Sequence, residues 1–523
     1  MMDQPSFART GRTMVVATLV SRITGFLRTL ALVAALGLGT RLLDAYTAAN
    51  VLPNSIYELV MGGAAASVLV PLLVRVTADD DVDADLFTQR LLSLVFYGLS
   101  AVVVVTICAA PLIVDLTVPG FSSAQRELAV DFARIFLPQI LFYGLGATLT
   151  AILNVRGRFA TPMWAPVANN VVVIATAGTF LLAGGTGHLE RLPQGQMLLL
   201  SIGTSAGVVA QMIVLAVVTR RAGLPLRLRA DPRGIAVRRI LAMAGWTLAS
   251  VTAAQIALIV VNRLASQAGP GAVGVFSNAY TLFQLPYAVI AVTVITGLLP
   301  RMSRAAGERN LAQITADLSH SLRVTGVILV PVAAALVALG PQLAMLLFAH
   351  GNASPRAAHL TGVVLAAYGP ALVPFAGYQI LLRVYYALGD TRTPALVSVA
   401  VSAALLVTSL VAARLFPGTD MVVALAGCTA VAYALGFVIV AQLLRRRIGR
   451  IDGHRLLSSY GRMSVAAVVA AGLGLAVGAG LGGPLAVVSA TTVVGAGLYV
   501  LIARLLRISE FAVLTAGLRL PRL

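Results

Sequence analysis

Apolar residues follow one another in this chain in long blocks. Short stretches rich in Arg, Asp, Gly and Pro separate them. Blocks of that length predict helices that cross a membrane. About 20 helical residues span the hydrocarbon, and a helix satisfies its own backbone groups there. Fourteen spans are predicted, at 13–37, 46–77, 87–116, 126–154, 163–184, 195–220, 236–267, 271–304, 311–349, 357–388, 394–415, 420–446, 460–482 and 485–506. Several are longer than a crossing needs, which predicts tilting, bending or a re-entrant end. Gly340-Pro341 is predicted to divide the ninth.

Composition excludes a soluble reading. The chain is 59% hydrophobic, its mean hydropathy is +0.92 and only 11% of its residues are charged. Soluble domains carry about 25% charge. The first apolar run is too long for the core of a signal peptide and reads as the first span. Cys108 and Cys428 each lie in an apolar segment without CxxC spacing, and read as small buried hydrophobes.

The net charge of +19 changes the picture more. All 38 basic residues are Arg, and most lie between spans. That placement favours lipid headgroups and topology over nucleic acid. With a cytoplasmic N-terminus, 27 arginines fall on the inner side and only Arg41, Arg126, Arg191, Arg356 and Arg414 on the outer. This predicts a multi-pass membrane protein with both termini on the cytoplasmic side. The acidic tract "DDDVDAD" (Asp79 to Asp85) then falls in an inner loop.

The chain also repeats itself. "PQILFYGLGATLTAILNVRGRFATP" from Pro138 aligns without a gap to "PALVPFAGYQILLRVYYALGDTRTP" from Pro370, 232 positions later. Gly157 matches Gly389, and both segments end in Thr-Pro. "AYTAANVLP" from Ala45 echoes "AYTLFQLP" from Ala279, and "VSRITG" from Val20 echoes "VNRLAS" from Val261, which sets Arg22 opposite Arg263. Two six-span bundles of the same topology follow: an N-terminal lobe at 1–225 and a C-terminal lobe at 226–450. Residues 451–523 add two spans and a cytoplasmic tail. Transporters place their substrate path between such repeats.

"SRITGFLR", "DAYTAANVLPN", "VNRLAS", "QLPYAVIAVTVITGLLPRMSRAA" and "LLRVYYALGDTRTP" resemble the MurJ/MviN family of the MOP exporter superfamily, from about residue 13 to about residue 510. The wording is closest to actinobacterial members, some of which carry a cytoplasmic kinase-like region that is not in these 523 residues. The resemblance implies an all-α polytopic fold: about fourteen helices in two pseudo-repeated lobes around a central cavity. It implies a lipid II flippase that moves undecaprenyl-diphosphate-linked peptidoglycan precursor from the inner to the outer leaflet. By position it assigns the substrate to Arg22, Arg28, Asp44 and the Pro53-Asn54 element, with Arg263 beside them. Some members bind Na⁺ between the seventh and eleventh spans, and Asn262 and Asp390 lie near matching positions. No cofactor is implied beyond Na⁺ or the membrane potential as energy source. The implied partners are the lipid-linked diphosphate, membrane lipids and cell-wall synthesis proteins, with no nucleic acid and a monomeric state. The chain departs from the family after "LPN", where Ser55, Ile56, Tyr57 and Glu58 replace basic residues. Gly62 stands for an acidic residue, and Thr281 for an arginine.

Six arginines lie inside spans: Arg22, Arg28, Arg134, Arg263, Arg323 and Arg383. Each costs about 2.5–3.5 kcal/mol at a helix centre. Snorkelling or an internal ion pair explains Arg134, Arg323 and Arg383. Arg22 and Arg28 share one span, about 9 Å apart along the axis and about 120° around it, with Gly25 between them as a site for a bend. A guanidinium binds phosphate oxygens through two parallel bonds and keeps its charge at any physiological pH. A diphosphate that must enter the membrane plane suits such a pair.

Three other readings fit parts of the sequence. A flippase for another lipid-linked oligosaccharide or a multidrug antiporter would share the bundle, although an antiporter of cationic drugs should carry acids in its spans. A scaffold for cell-wall synthesis would not need buried charge. An enzyme is disfavoured, because the five histidines are scattered without ligand spacing and no P-loop is present.

Overall fold

The computed structural model describes residues 4–62, 84–158, 160–223, 227, 229, 237–449, 452–508 and 510. Among them are seventeen α-helices and no strand. Thirteen helical stretches are long and apolar enough to cross a membrane. The other predicted span, 46–77, begins as the helix Arg41–Tyr57 and one π-helical turn, Glu58–Gly62, and its remainder lies outside the described residues. Asp79 to Asp83 and most of the basic 224–236 loop also lie outside them. Asp85 is described and pairs with Arg156 at 2.9 Å.

The chain forms two compact units, Met1–Gly274 with His350–Ser354, and Val275–Ala349 with Pro355–Leu523. The first holds α1 (Gln4–Leu36), α2 (Arg41–Tyr57), α3 (Ala84–Cys108), α4 (Ala110–Thr117), α5 (Ser123–Phe136), α6 (Gln139–Val155), α7 (Ala160–Leu182), α8 (Gln194–Arg221) and α9 (Val237–Gln267). Here α1 packs on α7, α7 on α8, and α2 on α5. Tyr46 meets Phe132 and Phe136 edge-on at 5.7 and 5.5 Å, a geometry worth about 0.5–1.5 kcal/mol per pair beyond burial. The predicted third span is broken. It stops at Cys108 and restarts as α4, whose second residue, Pro111, has no N–H to continue the ladder.

α10 (Ala272–Gly307) starts in the last residues of the first unit and continues into the second. The second unit adds α11 (Leu311–Phe348), α12 (Pro355–Tyr368), α13 (Leu372–Ala387), α14 (Arg392–Leu415), α15 (Thr419–Ile448), α16 (Gly453–Ala479) and α17 (Pro484–Leu505). The last two pack on α11 through Val327, Val330, Met463, Ala466 and Ala503. Two tyrosines fasten them: Tyr460 donates to the Leu322 carbonyl at 2.7 Å, and Tyr499 to that of Val327 at 2.9 Å.

The ninth span corrects the sequence expectation. Gly340-Pro341 does not divide it, and α11 runs unbroken through both Pro331 and Pro341. The pair serves close packing instead. A Cβ on Gly340 would strike the Gly362 carbonyl of α12, and one on Gly362 would strike the Pro341 backbone. In lipid, helices gain from such close approach because no hydrophobic drive brings them together.

The repeat is visible in local geometry, taken separately in each unit. α5 and α6 are split at Pro138, and α12 and α13 at Gly369-Pro370. α6 then ends on Gly157 at φ +73°, and α13 on Gly389 at φ +74°. In the first unit Gly157 N–H donates to Asn154 and Arg158 N–H to Leu153; in the second Gly389 donates to Tyr386 and Asp390 to Tyr385. Both ends are therefore the same left-handed glycine cap. α1, with Gly25 in mid-course, is one continuous helix.

Candidate substrate site at the arginines of the first helix

The in-span arginines divide into two groups by their partners. Arg134 pairs with Asp131 at 3.7 Å on an exposed face. Arg383 lies over the Tyr386 ring, 5.7 Å from its centroid. Arg323 makes a buried ion pair with Glu510 at 2.7 Å, with the two side chains 11% and 5% exposed. Arg263 is exposed and donates to the Leu116 carbonyl at 3.2 Å, satisfying the C-terminal end of α4. Arg22 and Arg28 make no ion pair or side-chain hydrogen bond among the described residues. Arg22 is exposed and Arg28 half-buried.

The wall around Arg28 is polar. Its charge reaches the hydroxyls of Tyr46 and Tyr143. Tyr46 shares a hydrogen bond with Thr204 at 2.7 Å. Tyr143 donates to Gln139 at 3.2 Å, Gln139 to Ser205 at 2.9 Å, and Ser205 to the Ile135 carbonyl at 3.1 Å. α7 is fixed against α1 by Asn170, which donates to Thr24 at 3.0 Å and to the Ser21 carbonyl at 3.3 Å. Beyond Tyr143 a cavity of about 380 Å³ opens, lined by Tyr57, Asn154 and Gln211 among others. Sequence reading missed these groups. Their signal was there, as amides inside apolar spans: Gln139, Asn169-Asn170 and Gln211.

The remaining nominated residues go elsewhere. Asp44 is buried in the first turn of α2, and its two oxygens accept from Gly271 N–H at 2.6 Å and Gly274 N–H at 2.7 Å. It caps the N-terminus of α10, where a carboxylate meets the positive end of the helix dipole, and makes no ion pair with Arg22 or Arg28. Pro53 is buried within α2, and Asn54 is exposed one residue on. Asn262 is half-buried on α9. Asp390 accepts from Thr393 N–H at 3.0 Å, from Thr393 Oγ1 at 2.8 Å and from the Arg447 guanidinium. Partial burial alone would raise that carboxyl. The Thr393 donors and Arg447 outweigh it and hold it below the usual carboxylate range. Among the described residues no group of three His, Cys, Asp or Glu side chains is placed to hold a metal ion.

A family model described as "Lipid II flippase MurJ" matches residues 32–493. The chain belongs to the MurJ family. Curated relatives agree. A probable lipid II flippase MurJ of Rhizobium meliloti is 30% identical over 465 residues, covering 87% of this chain and 84% of that one. The lipid II flippase MurJ of Burkholderia cenocepacia is 31% identical over 403 residues, covering 75% of each. Among solved structures, a lipid II flippase MurJ in an inward closed conformation superposes with a TM-score of 0.76 at 19% identity, over 94% of this chain and 97% of that one. An inward-facing multidrug resistance MATE transporter of the MOP superfamily reaches 0.68 at 17% identity, over 84% and 99%. The MurJ fold is therefore shared with MATE transporters, and the fold alone does not select the cargo.

Proposed function

We propose that this MurJ-family chain is a lipid II flippase that carries the lipid-linked diphosphate between leaflets by alternating access. One observation carries the residue assignment: Arg22 and Arg28 are two permanent charges on a membrane helix with no ion-pair or side-chain hydrogen-bond partner among the described residues. Such charges are expensive in hydrocarbon and mark a substrate path. In this reading the pair takes the diphosphate, while the part-exposed Tyr143 replaces part of its hydration. Two guanidinium groups hold the anion without trapping it. A multidrug antiporter shares the fold, but the unpartnered in-span charges here are cationic and fit an anionic cargo.

The experiment is reconstitution. Purified protein in vesicles, given lipid II on one face, should make it accessible on the other, and should leave a neutral glycolipid of the same chain length where it started. Equal movement of both would refute the assignment. Orientation belongs to the same proposal, with both termini cytoplasmic. A reporter fused after Arg233 should read inside and one after Pro270 outside. The same side for both would remove it.

A further inference from the structure

A basic cavity of about 1070 Å³ lies within the second unit, where the first turns of α11, the last turn of α15 and the first turn of α16 meet. Four features of its lining point the same way. Arg445 and His454 face it, and the Arg445 guanidinium has no partner among the described residues. α16 begins there without a side-chain cap: Asp452, at φ +29°, gives none, and the first N–H groups at Gly453 and His454 have no acceptor among the described residues. Ser319, 3% exposed and on the cavity wall, has a buried hydroxyl without a hydrogen-bond partner among the described residues. The one acid among the described lining residues, Asp452, is offset by Arg455 at 4.0 Å. Unused cationic and N–H donors facing one space suit a phosphate.

An apolar cavity of about 400 Å³ adjoins this one and shares Arg445, Gly453 and Leu457 with it. Its wall includes Val373, Leu381, Phe437, Leu456 and Tyr460. A soluble phosphate has no use for that extension, whereas a phospholipid needs both parts. The arginine bias assigns this end of the helices to the inner leaflet, where anionic headgroups meet basic pockets between helices.

We propose that the two cavities together hold an anionic membrane phospholipid: its phosphate between Arg445, His454 and the α16 N-terminus, and part of an acyl chain against Phe437 and Tyr460. This site shares no residue with the arginine pair of the first unit and does not depend on the flippase reading.

The test is retention of phospholipid by the purified full-length chain, read by native mass spectrometry after exposure to equal phosphatidylglycerol and phosphatidylcholine. The unmodified protein should retain phosphatidylglycerol in preference. Arg445→Gln with His454→Gln should lower its retention about five- to tenfold and leave phosphatidylcholine unchanged. Ala316→Trp keeps every charge and fills the cavity from an exposed position on its wall, and should lower retention as much. That variant carries the test if the charge variant fails to fold. Arg414→Gln, at the other end of the bundle, should change nothing. Retention at the unmodified level in Ala316→Trp would overturn the proposal. So would displacement of the lipid by millimolar inorganic pyrophosphate, which would make the ligand a soluble phosphate.

Discussion

Arg28 and Arg323 are both arginines inside membrane helices, and the structure predicts opposite consequences for removing them. Arg323 is bonded to Glu510 at 2.7 Å and to the Ser319 carbonyl at 3.2 Å, with little of either charged side chain exposed. Arg323→Ala leaves Glu510 buried without its counter-charge, which typically costs about 3–5 kcal/mol. Replacing both partners by apolar residues of similar size should recover most of that loss. Arg28 has no such partner among the described residues. Arg28→Ala breaks no ion pair and relieves a charge whose insertion costs about 2.5–3.5 kcal/mol, so the folded protein should be at least as stable. Its loss should appear in transport. One charge-assisted hydrogen bond contributes about 1.5–3 kcal/mol, or roughly 10–150-fold in affinity for a diphosphate. Arg28→Lys keeps the charge without the planar fork and should fall between. The assays are unfolding in detergent and lipid II flipping in vesicles, run on the same preparations. An Arg28→Ala protein as destabilised as Arg323→Ala would show a structural role for Arg28. A well-folded Arg22→Ala, Arg28→Ala double variant flipping at the normal rate would falsify the substrate role.

Three further outcomes follow from particular contacts. Asp44→Ala removes both acceptors from the start of α10 and should cost about 1–2 kcal/mol, with Asp44→Asn costing less; no change in denaturation midpoint would mean the cap is not stabilising. Asp390 has a depressed carboxyl, so its tie to Thr393 and Arg447 should be fully present at neutral pH and lost as pH falls below about 4 through the folded value. Asp390→Asn should flatten that acid-side loss, and the Na⁺ role suggested by resemblance is removed if flipping is indifferent to both Na⁺ and this substitution. Gly340→Val should destabilise by several times the ~1 kcal/mol typical of an average substitution, because the Gly362 backbone occupies the space of the new side chain; a protein that melts normally would show that the helices can separate at no cost.

Single residues and their near neighbours fix hydropathy, charge asymmetry and repeated wording, so these could be read from the chain alone. Thirteen of the predicted spans appear as apolar helical stretches, and the repeat reappears as matching glycine caps at Gly157 and Gly389. Arg22 and Arg28 stood out because a permanent charge in an apolar run is conspicuous wherever the helix packs. Only the tertiary structure could say which in-span arginines were already neutralised. Arg323 finds Glu510 187 residues away, while Asp44 turns to backbone N–H groups more than 220 positions later instead of to a nearby arginine. The same holds for Gly340-Pro341, which reads locally as a break and serves as a contact because Gly362 packs against it. Local patterns carry propensity and cost. The partner that offsets a buried charge or fills the space over a glycine is chosen when distant segments pack, and one sequence holds no record of that pairing.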